Sequence, residues 1–416
     1  MSVAMSIRAK GIGGYAVRAA AIAWRFKVGQ GLANRSLRRY VELTRAVNAY
    51  PSLPVTAVVL RRHPRLIAEF AAQGVEFAIH GLVHNDHAVL GLEQQLESIA
   101  RAARYFGEAR IPFTGFRGPY LRYSGATDVA LRALGIRYHS SQGIHFPVLS
   151  DAARRADGYR RALAFYGSWD ADRVVSRPRF VDGLVHIPVS LPDDEMMIER
   201  LRLSHAAQIE AWKRILATTY RDGELFTVML HPERIFECGE ALAAVLAEAR
   251  SLADVWIARL DEIAEWWHRR SAVKLEVREI SPGRFSAVAV GALELALVLS
   301  RQGTDHALGK AGQAIEFCSG VRPWVGVDES APDDLVAFLR EEGYLVERSA
   351  EKTRFATFIR GGDWSERGVL AQLEGSAAPI VRVARWPTGV KSALAVTGDI
   401  DSLTLGDFAL RIWETR

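Results

Sequence analysis

The chain has 416 residues, about half of them apolar, with 53 Lys and Arg against 48 Asp and Glu and no low-complexity tract. That length exceeds the size at which a single core stops growing, so a large domain with a smaller companion is expected, and the ordinary composition excludes a collagenous, disordered or disulfide-stapled chain. The net charge of +5 is scattered as Arg among acids; it permits contact with anionic sugars, lipid headgroups or nucleotides, but without an aromatic-studded basic stripe it makes no case for nucleic acid.

Taken in chain order, the first apolar stretch is YAVRAAAIAW (15–24). It carries Arg18 and lacks the order of a secretory signal, so it reads as a core-packing helix, with an amphipathic membrane-surface helix as the alternative. No run reaches the ~18 apolar residues expected of a spanning helix. From residue 35 helix and strand alternate. SLRRYVELTRAVNAY (36–50) has helical spacing and leads into PVTAVVL (54–60), a buried-strand composition. PRLIAEFAAQG (64–74) is a helix ending in Gly, followed by the strand VEFAI (75–79). The helix 90–107 precedes the short strand FTGF (113–116), and DVALRALG (128–135) leads to the strand IRYHSS (136–141). LVHIPVS (184–190), LFTVML (225–230) and VWIARL (255–260) read as strands, with helices over 205–220 and 239–250 between them. This alternation predicts parallel strands with crossover helices, hence an α/β barrel or open α/β sheet.

Near residue 272 the pattern changes to strand-like runs with short turns (274–300), then mixed helix and strand up to IVRVARW (380–386). The expected division is therefore 1–272 as the main part of the α/β domain and 273–385 as a small mixed second domain. At 386–416 the α/β pattern returns, with SALAVT as strand and LTLGDFALRIWE as helix. Cys238 and Cys318 stand far apart without C-x-x-C spacing and read as free thiols of a cytoplasmic protein.

Four polar clusters each follow directly on an apolar strand: His80 and His84 after VEFAI, Arg117 to Tyr120 (RGPY) after FTGF, His231 after LFTVML, and Asp399 and Asp401 after ALAVT. In parallel α/β folds the carboxyl ends of the strands open on one face, where ligands bind, so clusters from distant sequence can share one cleft. His80 and His84 suit one metal ion, and one carboxylate would complete a two-histidine, one-carboxylate site with open positions; the alternative is that they cap the strand end, and His87 could replace His84. Asp399 and Asp401 point to one side of an extended strand, so one can ligate while the other takes a proton; an Asx-turn running into a helix cap is the competing reading. RGPY supplies a fixed guanidinium and a backbone N–H that could face an oxyanion, or a tight turn with an exposed Arg. His231 suits a general acid near neutral pH, or a satisfied histidine at a strand end.

Together these clusters resemble the NodB-homology polysaccharide deacetylases, carbohydrate esterases that remove N-acetyl groups. The stretches TGDID (397–401), HGLVH (80–84), RGPY (117–120) and MLH (229–231) are similar to that family's four motifs, and VWIARLDEIAEWW (255–267) to its closing strand and helix. The resemblance covers about 30–270 and 387–416. It implies an irregular (β/α)7-type barrel, circularly permuted so that its first strand lies at the C-terminus; a fragment of a second barrel, or a strand given to a neighbouring subunit of a homo-oligomer, are the rival accounts. It implies Asp401, His80 and His84 as ligands of a divalent metal, zinc first, with iron, cobalt or nickel compatible. Asp399 would be the base, oriented by Arg117. The metal and the Tyr120 N–H would stabilise the oxyanion, and His231 would protonate the leaving amine. Asp193 and Asp194 could orient His231, or cap the following helix. One departure is Gly81, where the family carries Ser or Thr. The implied activity is removal of acetyl from an N-acetylated sugar or polysaccharide, a cytoplasmic nucleotide- or lipid-linked precursor in the absence of a secretion signal. The alternatives are an amidohydrolase of small ureides and a catalytically silent sugar-binding barrel.

Overall fold

The computed structural model describes residues 30–291, 296–310 and 312–414. The stretch 15–24, read above as a core-packing helix, lies outside them. The described chain divides into two compact units, one built from residues up to Ala171, Ser176–Ala264 and Ser392 onward, the other from Asp172–Val175 and Glu265–Lys391.

The first unit is α/β. Its strands in chain order are β1 (Ser52–Val55), β2 (Glu76–Ile79), β3 (Gly115–Phe116), β4 (Tyr138–His139), β5 (Gly143–His145), β6 (Trp169–Asp170), β7 (Arg179–Val181), β8 (Leu184–His186), β9 (Val189–Leu191), β10 (Leu225–Met229), β11 (Val255–Ile257) and a terminal strand, Ser392–Thr397. The main sheet has nine strands. Its path runs from β10 through the terminal strand to β1, β2, β3, β4, β8 and β7, with β11 also pairing the terminal strand. Every pairing is parallel except that of β7 with β8.

The terminal strand is buried along its whole length. Leu225–Met229 pairs with Ala393–Thr397 residue for residue, while β11 pairs Ser392–Leu394 and Ser52 of β1 pairs Thr397. A strand buried on both faces of a parallel sheet reads as an unbroken apolar run, as ALAV does. Beyond β4 and β8 the same two segments pair again as β5 with β9, and Ser190 Oγ accepts a hydrogen bond from the Thr227 N–H of β10 at 3.2 Å, so the curl of the sheet returns towards its far end.

One strand expectation fails. PVTAVVL was expected to be extended to residue 60, but β1 ends at Val55 and Ala57–Arg62 is helical. Thr56 turns the chain, Ala57 N–H and Val58 N–H donate to the carbonyls of Gly81 and Leu82, and the helix starts there. A short apolar run does not distinguish a buried strand from a buried helical turn. Likewise LVHIPVS forms two strands, β8 and β9, in different sheets.

The second unit contains an antiparallel sheet ordered Lys274–Ser281, Arg284–Val290, Ile315–Cys318, and another ordered Thr304–Lys310, Ala296–Arg301, Ile380–Val383. Its third sheet is parallel, with Arg322–Val327 between Val346–Arg348 and Phe355–Ile359. Val325, Val327, Leu335, Leu339, Ile359 and Val369 form its main core.

Candidate metal centre and active site

Each candidate motif lies just past the carboxyl end of a strand of the main sheet, and the order of those strands brings the motifs together. Thr397 pairs Met229 and Ser52, which sets TGDID beside both the His231 strand and β1. Gly398 is required by close approach: an added Cβ would lie 2.0 Å from the Leu230 carbonyl oxygen. Ile400 N–H donates to the Pro54 carbonyl at 2.7 Å, which keeps the segment extended, so Asp399 and Asp401 face one side.

His80, His84 and Asp401 converge. Asp401 Oδ1 lies 3.3 Å from His80 Nε2 and 3.2 Å from His84 Nε2. Two donors at ~2.0–2.1 Å from one tetrahedral ion stand about 3.3–3.4 Å apart, so the spacing fits a shared cation. The donor chemistry fits as well. His80 Nδ1–H donates to the Arg117 carbonyl at 2.9 Å, which turns the Nε2 lone pair inward. Arg411 Nη1–H donates to Asp401 Oδ2 at 2.5 Å and leaves Oδ1 for the centre. His80 Nε2 and Asp401 Oδ1 are buried without a hydrogen-bond partner, the condition of ligand atoms that await an ion. Burial drives His84 down to about 3 against the pull of Asp401, so its imidazole is neutral. Burial opposes charge on Asp401, yet the His84 ring and the Arg411 guanidinium hold its carboxyl well below the usual carboxylate range.

Asp399 sits at the edge of this group, its Oδ2 3.6 Å from His80 Nε2. Its Oδ1 is held by Arg117, which is fully buried and uses its whole fork: Nη1–H donates to Asp399 Oδ1 at 3.0 Å and Thr397 Oγ1 at 2.9 Å, Nε–H to the Ser140 carbonyl and Nη2–H to Ser140 Oγ, both at 2.8 Å. The exposed-turn reading of Arg117 is therefore excluded. Tyr120 adopts φ 64° and ψ 16°, the left-handed region, and Gly118 before it is needed because a Cβ there would come 2.3 Å from the Arg122 carbonyl. The Tyr120 ring meets His84 edge-on with centroids 4.3 Å apart, and its hydroxyl donates to the His84 carbonyl at 3.3 Å.

His231 has a buried partner. Its Nδ1 lies 2.9 Å from Asp194 Oδ1, its backbone N–H donates to Asp194 Oδ2 at 3.0 Å, and Arg234 Nη1–H donates to the same oxygen at 3.0 Å. Both readings of PDDEMM hold, one for each acid: Asp194 orients His231, while Asp193 Oδ1 accepts the Met196 N–H as a cap. Burial would depress the His231 imidazole, but Asp194 outweighs it and raises the pKa to about 10.

Gly81 has a local cause. Its φ is +76°, and an added Cβ would lie 2.9 Å from the Val83 carbonyl and 3.2 Å from His87 Nε2. The space a hydroxyl would need is filled by His87, whose ring meets Phe116 edge-on and whose Nδ1 lies 3.2 Å from Gln95 Oε1. His87 is thus packed beneath the loop and is not in the group formed by His80, His84 and Asp401. Two further residues serve the site: Ser140, which anchors Arg117 together with Thr397 of the TGDID stretch, and Arg411, which selects one oxygen of Asp401. Neither Ser140 nor Arg411 lies in a spacing pattern; only the fold reveals them.

Residues 44–139 match the family model described as polysaccharide deacetylase. Among solved structures, the chain is similar to a protein of Mycobacterium smegmatis assigned to the polysaccharide deacetylases (22% identity, 56% of this chain and 76% of that one, TM-score 0.43). It is also similar to a protein of Pseudomonas aeruginosa PAO1 with the same assignment (20%, 56% and 73%, 0.43) and to Puue allantoinase (19%, 56% and 72%, 0.43), likenesses too distant to carry function. A comparison with curated proteins finds no match. The matched segment holds both histidines of the candidate centre together with Arg117 and Tyr120, and over that segment the chain is similar to the polysaccharide deacetylases.

Proposed function

We propose that this chain is a metal-dependent hydrolase that removes acetyl from an N-acetylated sugar or polysaccharide. One observation carries the reading: His80 Nε2 and Asp401 Oδ1, buried and without hydrogen-bond partners, converge with His84 Nε2, while a second carboxylate, Asp399, is held beside them by a buried arginine. His80, His84 and Asp401 would hold a divalent cation, zinc first by donor type. Bound there, the cation would polarise the amide carbonyl and lower the pKa of a coordinated water from about 15.7 towards 7.

The remaining steps belong to the protein. Arg117 occupies Asp399 Oδ1, so Oδ2 is the oxygen turned towards the centre, placed to take a proton from the attacking water. Tyr120 would offer its backbone N–H to the oxyanion, from a conformation that non-glycine residues adopt mainly where the surroundings enforce it. His231, kept protonated by Asp194, would give its proton to the departing amine. Asp194 thus acts as a positioning residue.

The terminal strand is, in this reading, the first strand of the deacetylase fold moved to the end of the chain, where it completes one catalytic domain with the rest of the first unit. Its support is the place of Ser392–Thr397 between β10 and β1 within its own sheet, which favours permutation within one chain over a strand given to a neighbour. The aligned acid pair also weighs against the silent sugar-binding alternative, which needs those acids misplaced. Residues 273–385 supply none of the named groups. The test is turnover of N-acetylglucosamine oligomers by zinc-loaded protein, read as released acetate. Substitution of Asp399 by Asn should abolish acetate release with zinc content unchanged; loss of zinc with that substitution would mean the roles of the two acids are exchanged.

A further inference from the structure

A second group of metal-type donors lies in the first unit, apart from the centre described above. His139 ends β4 and His186 ends β8, two parallel strands in which these residues are direct register partners, so both rings leave the sheet on the same face. Asp128, on the helix Gly125–Ala133, comes over them. Asp128 Oδ1 lies 3.5 Å from His139 Nε2, and Oδ2 lies 3.8 Å from His186 Nε2. The two imidazoles meet edge-on with centroids 4.1 Å apart, and Tyr123 closes on His139 at 4.8 Å.

A simple hydrogen-bonded His–Asp network does not account for this cluster. Both distances exceed hydrogen-bond length. Asp128 Oδ1, both ring nitrogens of His139 and Nε2 of His186 are buried without any hydrogen-bond partner. Leaving one such atom unpaired costs about 1–3 kcal/mol, and a fold rarely gathers several in one place without an occupant. A cation held by Asp128 Oδ1, His139 Nε2 and His186 Nε2 removes three of the four at once. The ligand atoms of the three residues all lie within 4.8 Å of one another, wider than the ~3.3–3.4 Å edge of a tetrahedral site, so the ligands would be drawn in when an ion arrives. Arg132 and Asp182 flank Asp128, and Arg179 and Arg132 act on His186, so the two guanidinium groups are balanced by the carboxylates of Asp182 and Asp128. Burial lowers His139 well below the usual histidine range and His186 to about 4, so both rings are neutral ligands.

We infer that Asp128, His139 and His186 form a second divalent-cation site of zinc type, independent of the His80–His84–Asp401 centre. Asp128 and His186 are only partly buried, which leaves an entry path and a fourth position for water. The site also bears on the first one. His139 precedes Ser140, whose carbonyl and hydroxyl hold Arg117, and Arg117 holds Asp399. An ion on His139 would fix the end of β4 from the opposite face and so position the clamp on Asp399.

The test is a zinc count on the full chain, stripped with chelator, reloaded with excess zinc and desalted, with circular dichroism confirming each variant's fold. Two equivalents are expected for the wild type and one for Asp128→Asn, His186→Gln and His84→Gln alike; His186→Gln combined with His84→Gln should hold none. If Asp128→Asn and His186→Gln keep the wild-type count, the second site is wrong, whatever His84→Gln does. If instead the count falls with those two but is unmoved by His84→Gln, the second site stands and the first reading fails. Cobalt loading gives a second readout: visible d–d absorption that persists in His84→Gln and is lost only on adding His186→Gln identifies the new site directly, and its absence from His84→Gln would overturn the proposal.

Discussion

Arg117→Met removes one guanidinium from the interior and should be among the most damaging single changes in the first unit. The side chain is fully buried and donates four hydrogen bonds, to Asp399 Oδ1, Thr397 Oγ1 and both oxygens of Ser140. Methionine fills much of the same volume, so the loss is mainly electrostatic. Thr397 Oγ1 still donates to the Val228 carbonyl, but Asp399, 3% exposed, is left as a buried carboxylate without its cation. Removing one partner of a buried pair costs about 3–5 kcal/mol, because the other charge remains desolvated. If that is the cause, neutralising Asp399 should relieve it. The pair Arg117→Met with Asp399→Asn should recover roughly 0.5–3 kcal/mol relative to additivity, the range for residues in direct contact. Urea unfolding of wild type, both single variants and the double variant measures this. A single-variant loss below ~1 kcal/mol, or strict additivity in the double, would refute the view that Arg117 exists to hold the Asp399 charge.

Three further outcomes are expected. The His231–Asp194 pair stabilises the fold fully below the ordinary histidine pKa and loses that contribution as pH rises through about 10, so the stability gap between wild type and His231→Gln should narrow from pH 6.5 to pH 10; in activity, Asp194→Asn should move the alkaline limb of the rate profile down towards pH 6.5, read by acetate release against pH. Gly81→Ser, although it restores the residue type the family carries there, should destabilise by about 1–3 kcal/mol in urea unfolding, since φ is +76° and His87 fills the space; a stability gain would mean the loop relaxes freely. Gly398→Ala forces a Cβ to 2.0 Å from the Leu230 carbonyl and so parts the terminal strand from β10; it should lower zinc affinity at the His80 centre by tenfold or more in a chelator competition, and unchanged affinity would contradict the close approach.

The strand-end clusters were legible because parallel α/β folds collect such residues on one face, and because each follows an unbroken apolar run. The motif identities around His80, Arg117, His231 and Asp399 required no long-range knowledge. What could not be read was whatever depends on strand order. Ser140 is unremarkable in sequence and matters only because the end of β4 meets Arg117; Thr397 belongs to the TGDID stretch, but its bond to Arg117 depends on the terminal strand lying beside it. Arg411 chooses one oxygen of Asp401 from a helix that begins four residues later. His139 and His186 were each read as part of a strand, and nothing in their spacing shows that the two strands pair in register with Asp128 above them. The run at 54–60 was misjudged because Val and Leu in a short apolar segment serve a helix as well as a strand, and the deciding contact, to the carbonyl of Gly81, lies on another element.

The central claim is that an acid from the end of the chain shares one ion with two histidines more than three hundred residues before it. Anomalous scattering at the zinc edge from crystals of the zinc-loaded chain tests it directly. The expected result is a peak bound by His80 Nε2, His84 Nε2 and Asp401 Oδ1 of one chain at ~2.0–2.2 Å. A peak there without Asp401, or with Asp401 supplied by a neighbouring chain, would contradict it.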